Sequence, residues 1–462
     1  MSDERLLTPA MLGIAAGAIL VPLNSTMLAV ALPSVMTEFS VGPSTVASLV
    51  TLYLGAVAVA LPASGSLGDR FGHRSTFLGG VVAFGLASLL AATAGSFAIL
   101  ALSRVLQAAS GALVSTSSTA LVRATAPQDR RGAAFGLFDG LTSVSAAVGP
   151  FVGGVIVGGF GWRSLFTLSV PIALLAAVSV AAIVRGRASP AVGGTGRRID
   201  IPGLALLATF LVALLVAIGA IAVPSLQLAA AVACVPLLAA FLRYELRSPA
   251  PAVDPRLFAA RPFAAAVAGV AGATVVLHAS FVLVPLLVER LQGGDAETAG
   301  LVLLGISGLG AIAAPIGGRV SDRVGRRAPA VAGMLVCSGG LVALWLVAAA
   351  SVPVVLAALL GVVGFGMGLS GSPRQAAAFE TVPPERIGMA AGTYLTGRYL
   401  GGVVGAGLAG AVLGAAVTPA GVSLGFGLAA LVAVAVAIAS FGLPGAARTS
   451  YVAASGSPER PG

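Results

Sequence analysis

Lysine is absent from this chain, and all 26 basic residues are arginine. Charge of either sign is scarce, at 9% of 462 residues. A soluble domain carries roughly 25% charged residues, which it needs to cover its surface. A water-soluble globule is therefore excluded. Disorder is excluded as well, since that state requires low hydrophobicity and high charge. Cysteine is limited to Cys234 and Cys337, both inside apolar runs with no partner pattern, so neither a disulfide nor a metal site is implied. Motifs of soluble catalysis are missing too: no HExxH, no paired His/Cys cluster and no phosphate-binding P-loop. The opening MSDERLLTPA does not read as a cleavable signal, because Asp3 and Glu4 spoil a basic n-region. The first apolar run is expected to stay as a membrane span.

What is present is apolar. The types AVILMFWYC make up 58% of the chain, Gly adds 62 residues, and mean hydropathy is +1.03. A span needs ~20 such residues. Runs of that kind lie at about 10–33, 45–67, 76–94, 97–122, 133–159, 165–184, 203–222 and 225–242. Six more follow at about 263–286, 298–318, 328–349, 352–373, 387–414 and 420–443. The expected fold is an all-α polytopic membrane protein of fourteen spans. The net charge of +10 does not point to nucleic acid, because the arginines sit in short loops between apolar runs. With the N-terminus cytoplasmic, the outside loops hold only Arg163 and Arg290, while Arg104 and Arg398 lie within spans. The remaining arginines then all face the cytoplasm, as the positive-inside rule requires. Both termini are expected inside, on the cytoplasmic membrane. Segments 185–200 and 243–262 read as cytoplasmic linkers, and the small polar stretch after about 444 as a disordered tail.

One motif occurs twice. GSLGDRFGHR at 65–74 and GGRVSDRVGRR at 317–327 both read G-x-x-x-D-R-x-G-x-R. The first lies between the second and third spans, the second between the tenth and eleventh. Setting aside spans seven and eight, the motif falls in the same loop of two six-span units, as in a duplicated secondary transporter. The expected division is 1–190 as the first half, 191–250 as a linker with an inserted helical pair, 251–443 as the second half, and 444–462 as the tail. Gly65 and Gly72 permit close approach and a sharp turn. Asp69 is expected to face a neighbouring helix N-terminus, where unpaired N–H groups favour a carboxylate. Arg70 and Arg74 would hold the loop at the cytoplasmic surface. Gly318, Asp322, Arg323, Gly325 and Arg327 would repeat this gating loop in the second half.

These residues resemble the major facilitator superfamily, specifically its 14-span drug:proton antiporter branch. LNSTMLAVALP at 23–33, TLYLGAVAVALPASGSLGDRFG at 51–72 and RVLQAASGA at 104–112 carry the likeness. So do VGPFVGG at 148–154, GWRSLFTLSVP at 161–171, DIPG at 200–203 and PAVDPRLFAARPF at 251–263. Ala108 and Ser110 stand where the family usually has glycine. The resemblance implies multidrug or antibiotic export by alternating access with proton antiport. It makes Gly149, Pro150, Gly153 and Gly154 an antiporter motif that seals the helices, although small residues also pack routinely in membrane helices.

Charges inside a bilayer are costly, so each is a functional candidate. Arg104 and Asn24 lie ~10 Å from the outer ends of their spans. The family usually has Asp at the Asn24 position, thought to exchange protons beside the span-four arginine. Asn24 cannot titrate, which departs from that pattern. Arg104 is then either a cation facing the cavity or a post satisfied by Asn24, Gln107 and backbone carbonyls. Asp139, ~9 Å inside span five, is the one acid well within a span and a candidate proton carrier. Alternatively it snorkels or pairs with Arg130 or Arg131. His278 in span nine can titrate near neutrality or be packed and hydrogen-bonded. Arg398 in span thirteen either lines the cavity or bonds carbonyls.

The expected function is export of a small antibiotic-like or amphipathic molecule, coupled to protons. The alternative is a facilitator or uptake transporter of an organic anion without span-one coupling. The expected partners are a small-molecule substrate, protons and the lipid bilayer, with no nucleic acid. A monomer is expected, with neither metal nor cofactor.

Overall fold

The computed structural model describes residues 9–126, 131–183, 200–220, 224–249, 251, 253–382, 387–414 and 416–445. Among them every regular element is a helix. The first span is α1 (Pro9–Met27), a 3₁₀ turn at Leu28–Ala31 and α2 (Leu32–Glu38). Then come α3 (Pro43–Phe71), α4 (His73–Ala92), α5 (Phe97–Thr125), α6 (Arg131–Phe160) and α7 (Arg163–Ile183). A shorter pair follows, α8 (Ile201–Leu215) and α9 (Pro224–Glu245). The rest are α10 (Arg261–Leu286), α11 (Ala296–Val324), α12 (Arg327–Val347), α13 (Pro353–Glu380), α14 (Ile387–Leu413) and α15 (Pro419–Ala439). Among the described residues thirteen spans are long and apolar enough to cross a membrane by themselves. The fourteenth, α14, is diluted by Arg398 and its glycines yet has the same length.

Local chemistry sets the helix ends. Proline is tolerated in a first helical turn because its missing N–H would be unpaired there. Pro43, Pro353 and Pro419 occupy such positions. Ser96, Asp200, Asp295 and Thr418 accept from the first-turn N–H groups of Ile99, Gly203, Thr298 and Gly421 at 2.8–3.3 Å. Gly72 and Gly325 adopt φ of +87° and +83° in the two repeated loops, a conformation that favours glycine.

The packing itself is repeated. In the first group α1 packs on α5, α6 and α7, α3 on α5, and α4 on α5 and α7. In the second group α10 packs on α13, α14 and α15, α11 on α13, and α12 on α13 and α15. The groups meet reciprocally through α3 with α14 and α6 with α11, while α8 and α9 pair beside α3.

The core is shared at one end only. At the end opposite the repeated loops, residues of both groups, including Leu32, Val46, Leu54, Leu283, Leu303 and Val403, form one buried cluster. At the motif end the groups have separate cores. Ile14, Phe77, Phe84 and Phe138 belong to the first, and Phe263, Ala330, Ala377 and Tyr394 to the second. The bundle is therefore closed at one end and cleft at the other.

Three boundaries differ from the sequence reading. α13 continues to Glu380 instead of ending near 373, which puts Arg374 inside a helix instead of in a cytoplasmic loop. α10 runs on through a π-helical turn at Leu287–Leu291, which brings Glu289 from a loop into a span end. The stretch 243–262 is ordered where described. α9 extends to Glu245, and Asp254 caps a 3₁₀ turn at Pro255–Ala259. The tail after 445 and the linker 184–199 lie outside the described residues.

Candidate functional site

The first cluster joins α1, α4, α5 and α7. A guanidinium needs acceptors in a fork, and the sequence supplies neutral ones. Arg104 Nη1 donates to Asn24 Oδ1 and, at 2.7 Å, to Gln107 Oε1. Gln107 Nε2 passes the chain to Ser88 Oγ at 2.8 Å, and Asn24 Nδ2 to Ser169 Oγ at 3.2 Å. The Tyr53 ring lies 4.2 Å from the Arg104 guanidinium carbon, a cation–π distance. Arg104 is 1% exposed. It does not face an open cavity. Its Nη1 is held by the two amide oxygens over the Tyr53 ring, with no backbone carbonyl among its partners and its buried Nε unpartnered among the described residues.

The second cluster joins α10, α13 and α14. Gly401 packs on Ala271 and Thr274, and Gly402 on Leu54 of α3 and on His278. Arg398 lies one turn before both, so it shares their face and points between α10 and α3. It is exposed, mid-helix, one turn nearer the motif end than those two contacts. Its own carbonyl accepts from Thr274 Oγ1 at 2.7 Å. His278 Nδ1 is 3.0 Å from the Thr274 carbonyl, so that nitrogen carries the proton, and the ring stacks edge-on with Phe281 at 5.9 Å. The packed, bonded state describes His278. Arg374, which sequence reasoning missed, donates from Nη1 to Ser370 Oγ at 2.8 Å and is 2% exposed. Its stem fills the space left by Gly269, where an added Cβ would lie 2.5 Å from Arg374 Cδ. That glycine, spaced one turn from Ala265 and Ala273 on α10, was the available signal.

Glycines draw the groups together at the closed end. Gly149 lies against Thr26 and Gly153 against Met27, both in the first group. Gly154 crosses to the second group. A Cβ there would sit 2.5 Å from the Ala296 carbonyl oxygen, and one at Gly300 would sit 2.5 Å from the Pro150 oxygen. The same arrangement recurs on α14. Gly405 packs on Val275 of α10, and Gly410 crosses to Ser44 and Ala47 of α3. The spacing from 405 to 410 repeats that from 149 to 154, so this second close approach is legible in the sequence.

The two repeated loops are built differently. In the first, Asp69 Oδ1 lies 3.4 Å from His73 Nε2, the first residue of α4, so Asp69 meets the neighbouring helix start through a side chain. Arg74 donates to the Ala181 carbonyl at 2.9 Å, while Arg70 lies over the Phe71 ring. Gly65 has nothing within 4 Å of an added Cβ, so close approach does not explain it. In the second loop the clamp is Arg326, not Arg323. Arg326 pairs with Asp322 at 2.7 Å and with Glu380 at 2.6 Å, tying α11 to the end of α13. Those two carboxylates raise the Arg326 pKa above its ordinary value. Arg327 donates to the Leu443 carbonyl at 2.9 Å, and Gly318 faces Ser372.

Asp139 falls within α6, and its side chain, like residues 127–130, lies outside the described part. Glu38 is paired with Arg163 at 2.6 Å and bonded by Trp162 at 2.7 Å. Glu289 is different, since its Oε1 is buried without a hydrogen-bond donor among the described residues. Nearby Arg290 reaches across to the Pro33 carbonyl at 2.8 Å and to Thr37. No group of three His, Cys, Asp or Glu side chains gathers among the described residues.

Repeated six-helix packing, a cleft between the groups and membrane-length helices define a multi-pass membrane transporter. Residues 14–406 match the family model described as Major Facilitator Superfamily, and 267–459 match it again. The tetracenomycin C resistance and export protein of Streptomyces glaucescens is 32% identical over 72% of this chain and 62% of its own length. The chain thus spans less than two thirds of that relative. The multidrug resistance protein Stp of Mycobacterium tuberculosis is 31% identical over 85% of this chain and 73% of its own. The riboflavin transporter RibZ of Clostridioides difficile is 28% identical over 82% of each. The chain belongs to the Major Facilitator Superfamily, a family of transporters and not of enzymes.

Proposed function

We propose that the protein exports a small antibiotic-like or amphipathic molecule by alternating access, with proton antiport. The observation that carries this is the asymmetric core: shared at one end, separate at the motif end, with glycine seals at the shared end. Such a bundle opens alternately by rocking one group against the other. The groups correspond to 1–190 and 251–443, with 191–250 inserted between them and 444–462 as a tail. The loops richest in arginine lie at the motif end, so that end is cytoplasmic by the positive-inside rule, and both termini are inside. The cleft described here is then the inward-facing state of a monomer. The names of the Streptomyces and Mycobacterium relatives support the export of drug-like molecules.

Proton coupling does not run through Asn24, which is neutral and holds Arg104. Asp139 carries the proton in this reading, because α6 also bears the seal at Gly149–Gly154, ~15 Å further along the helix. Asp139→Asn should abolish uphill transport while sparing downhill counterflow. A second reading, a facilitator or uptake transporter of an organic anion, is favoured by the uncoupled Asn24–Arg104 pair. A susceptibility panel of neutral, cationic and carboxylate compounds in an efflux-deficient host, with and without a protonophore, separates the two. Export gives protonophore-sensitive resistance, whereas a facilitator gives none.

A further inference from the structure

The described interior of the spans holds three arginines, Arg104, Arg374 and Arg398, and none of them is paired with a carboxylate among the described residues. A cation kept in a membrane interior without a counter-charge is expensive unless something supplies the charge. Arg104 is accounted for by its amide partners and Tyr53. Arg374 and Arg398 are not. Among the described residues Arg374 has one side-chain partner, Ser370, against two for Arg104, no ring over it, and a buried Nε that, like that of Arg104, has none. Arg398 is exposed, one turn from the Gly401 and Gly402 contacts with α10 and α3 and on the motif side of them. Tyr394, one turn before Arg398 on α14, lies within electrostatic reach of both arginines. His278 and Tyr399 lie within reach of Arg398. His278 has its Nδ1–H committed to the Thr274 carbonyl.

Resting on the export reading above, we propose that the transported molecule is an aromatic organic anion. Its acidic group binds Arg398 in the cleft, with Arg374 as a second cation behind Tyr394. The guanidinium supplies a two-pronged donor that fits a carboxylate or sulfonate. Tyr394, Tyr399 and His278 offer ring surfaces beside it. The same two arginines repel a cationic drug, so the site discriminates by charge.

The test uses two dyes on one xanthene frame, the anion fluorescein and the cation rhodamine 123, with the full chain in lipid nanodiscs. Binding is read by fluorescence anisotropy, and movement by uptake into everted vesicles. The wild type should bind fluorescein at least about tenfold more tightly than rhodamine 123, as expected for one charge-assisted contact. Arg398→Gln should bring the two affinities within about threefold, and Arg398→Lys should keep part of the preference. Arg374→Gln should weaken fluorescein binding and strengthen rhodamine 123 binding. Equal affinities in the wild type, or a fluorescein preference that survives Arg398→Gln, overturns the proposal. Fluorescein that binds without moving would count against export and leave the anion site standing. Rhodamine 123 that moves while fluorescein fails to bind would do the reverse.

Discussion

Gly154→Ala should hold the closed end ajar. The added methyl would sit 2.5 Å from the Ala296 carbonyl oxygen, 3.2 Å from its carbonyl carbon and 3.1 Å from Glu297 Cα. All three are backbone atoms at the start of α11, so no side chain can swing aside. Ordinary carbon contacts begin near ~3.5 Å, so α6 and α11 must separate by about 1 Å. Overpacking of this kind costs roughly 1–3 kcal/mol. The open state carries no such cost, so the ratio of closed to open molecules should fall by about 5–150-fold. Spin labels at Phe160 and Val352, both exposed at this end, would report the separation by pulsed electron resonance with Cys234 and Cys337 replaced by alanine. The distance distribution should shift to longer values, and transport should fall. Gly158→Ala on the same helix meets nothing within 4 Å and should leave both readouts unchanged. A Gly154→Ala protein with the wild-type distribution and full transport would refute the seal.

Arg104→Ala strands the acceptor oxygens of buried Asn24 and Gln107, each costing about 1–3 kcal/mol, so thermal melting in detergent should drop clearly. Arg104→Lys should recover only part of that loss. Asp295 caps α11, and its carboxyl pKa is lowered by the hydroxyl and then the N–H of Thr298. The stabilisation is therefore complete above the ordinary carboxylate range and is lost as pH falls through the lowered value. Asp295→Ala should cost about 1 kcal/mol at neutral pH and nothing in strong acid, as followed by melting against pH. Asp69→Asn should insert normally yet lower transport, because the His73 contact across the α3–α4 turn loses its charge. Full transport at equal expression would remove Asp69 from the gate.

The helices were legible because a bilayer leaves the backbone no alternative: each run of ~20 apolar residues must pair its own hydrogen bonds. The duplication was legible from one motif in phase. Helix ends were harder, because hydropathy falls before helicity stops. Arg374 lies in SGSPRQAAAFE, which looks polar enough for a loop although it continues α13 to Glu380. Glu289 and Arg290 looked like loop charges for the same reason. The fate of Arg104 depended on which side chains faced it across four helices, and local sequence records no such contact. Arg326 was missed because the shared motif weights its neighbours, while its partner Glu380 is 54 residues away.

Everted membrane vesicles offer the most direct test of alternating-access export. With the lumen acidified, a dye or drug identified by the susceptibility panel should accumulate against its gradient in vesicles carrying the protein. A protonophore should collapse that accumulation, and Asp139→Asn should prevent it. Vesicles that only equilibrate the compound, at a rate indifferent to the pH gradient, would contradict the account.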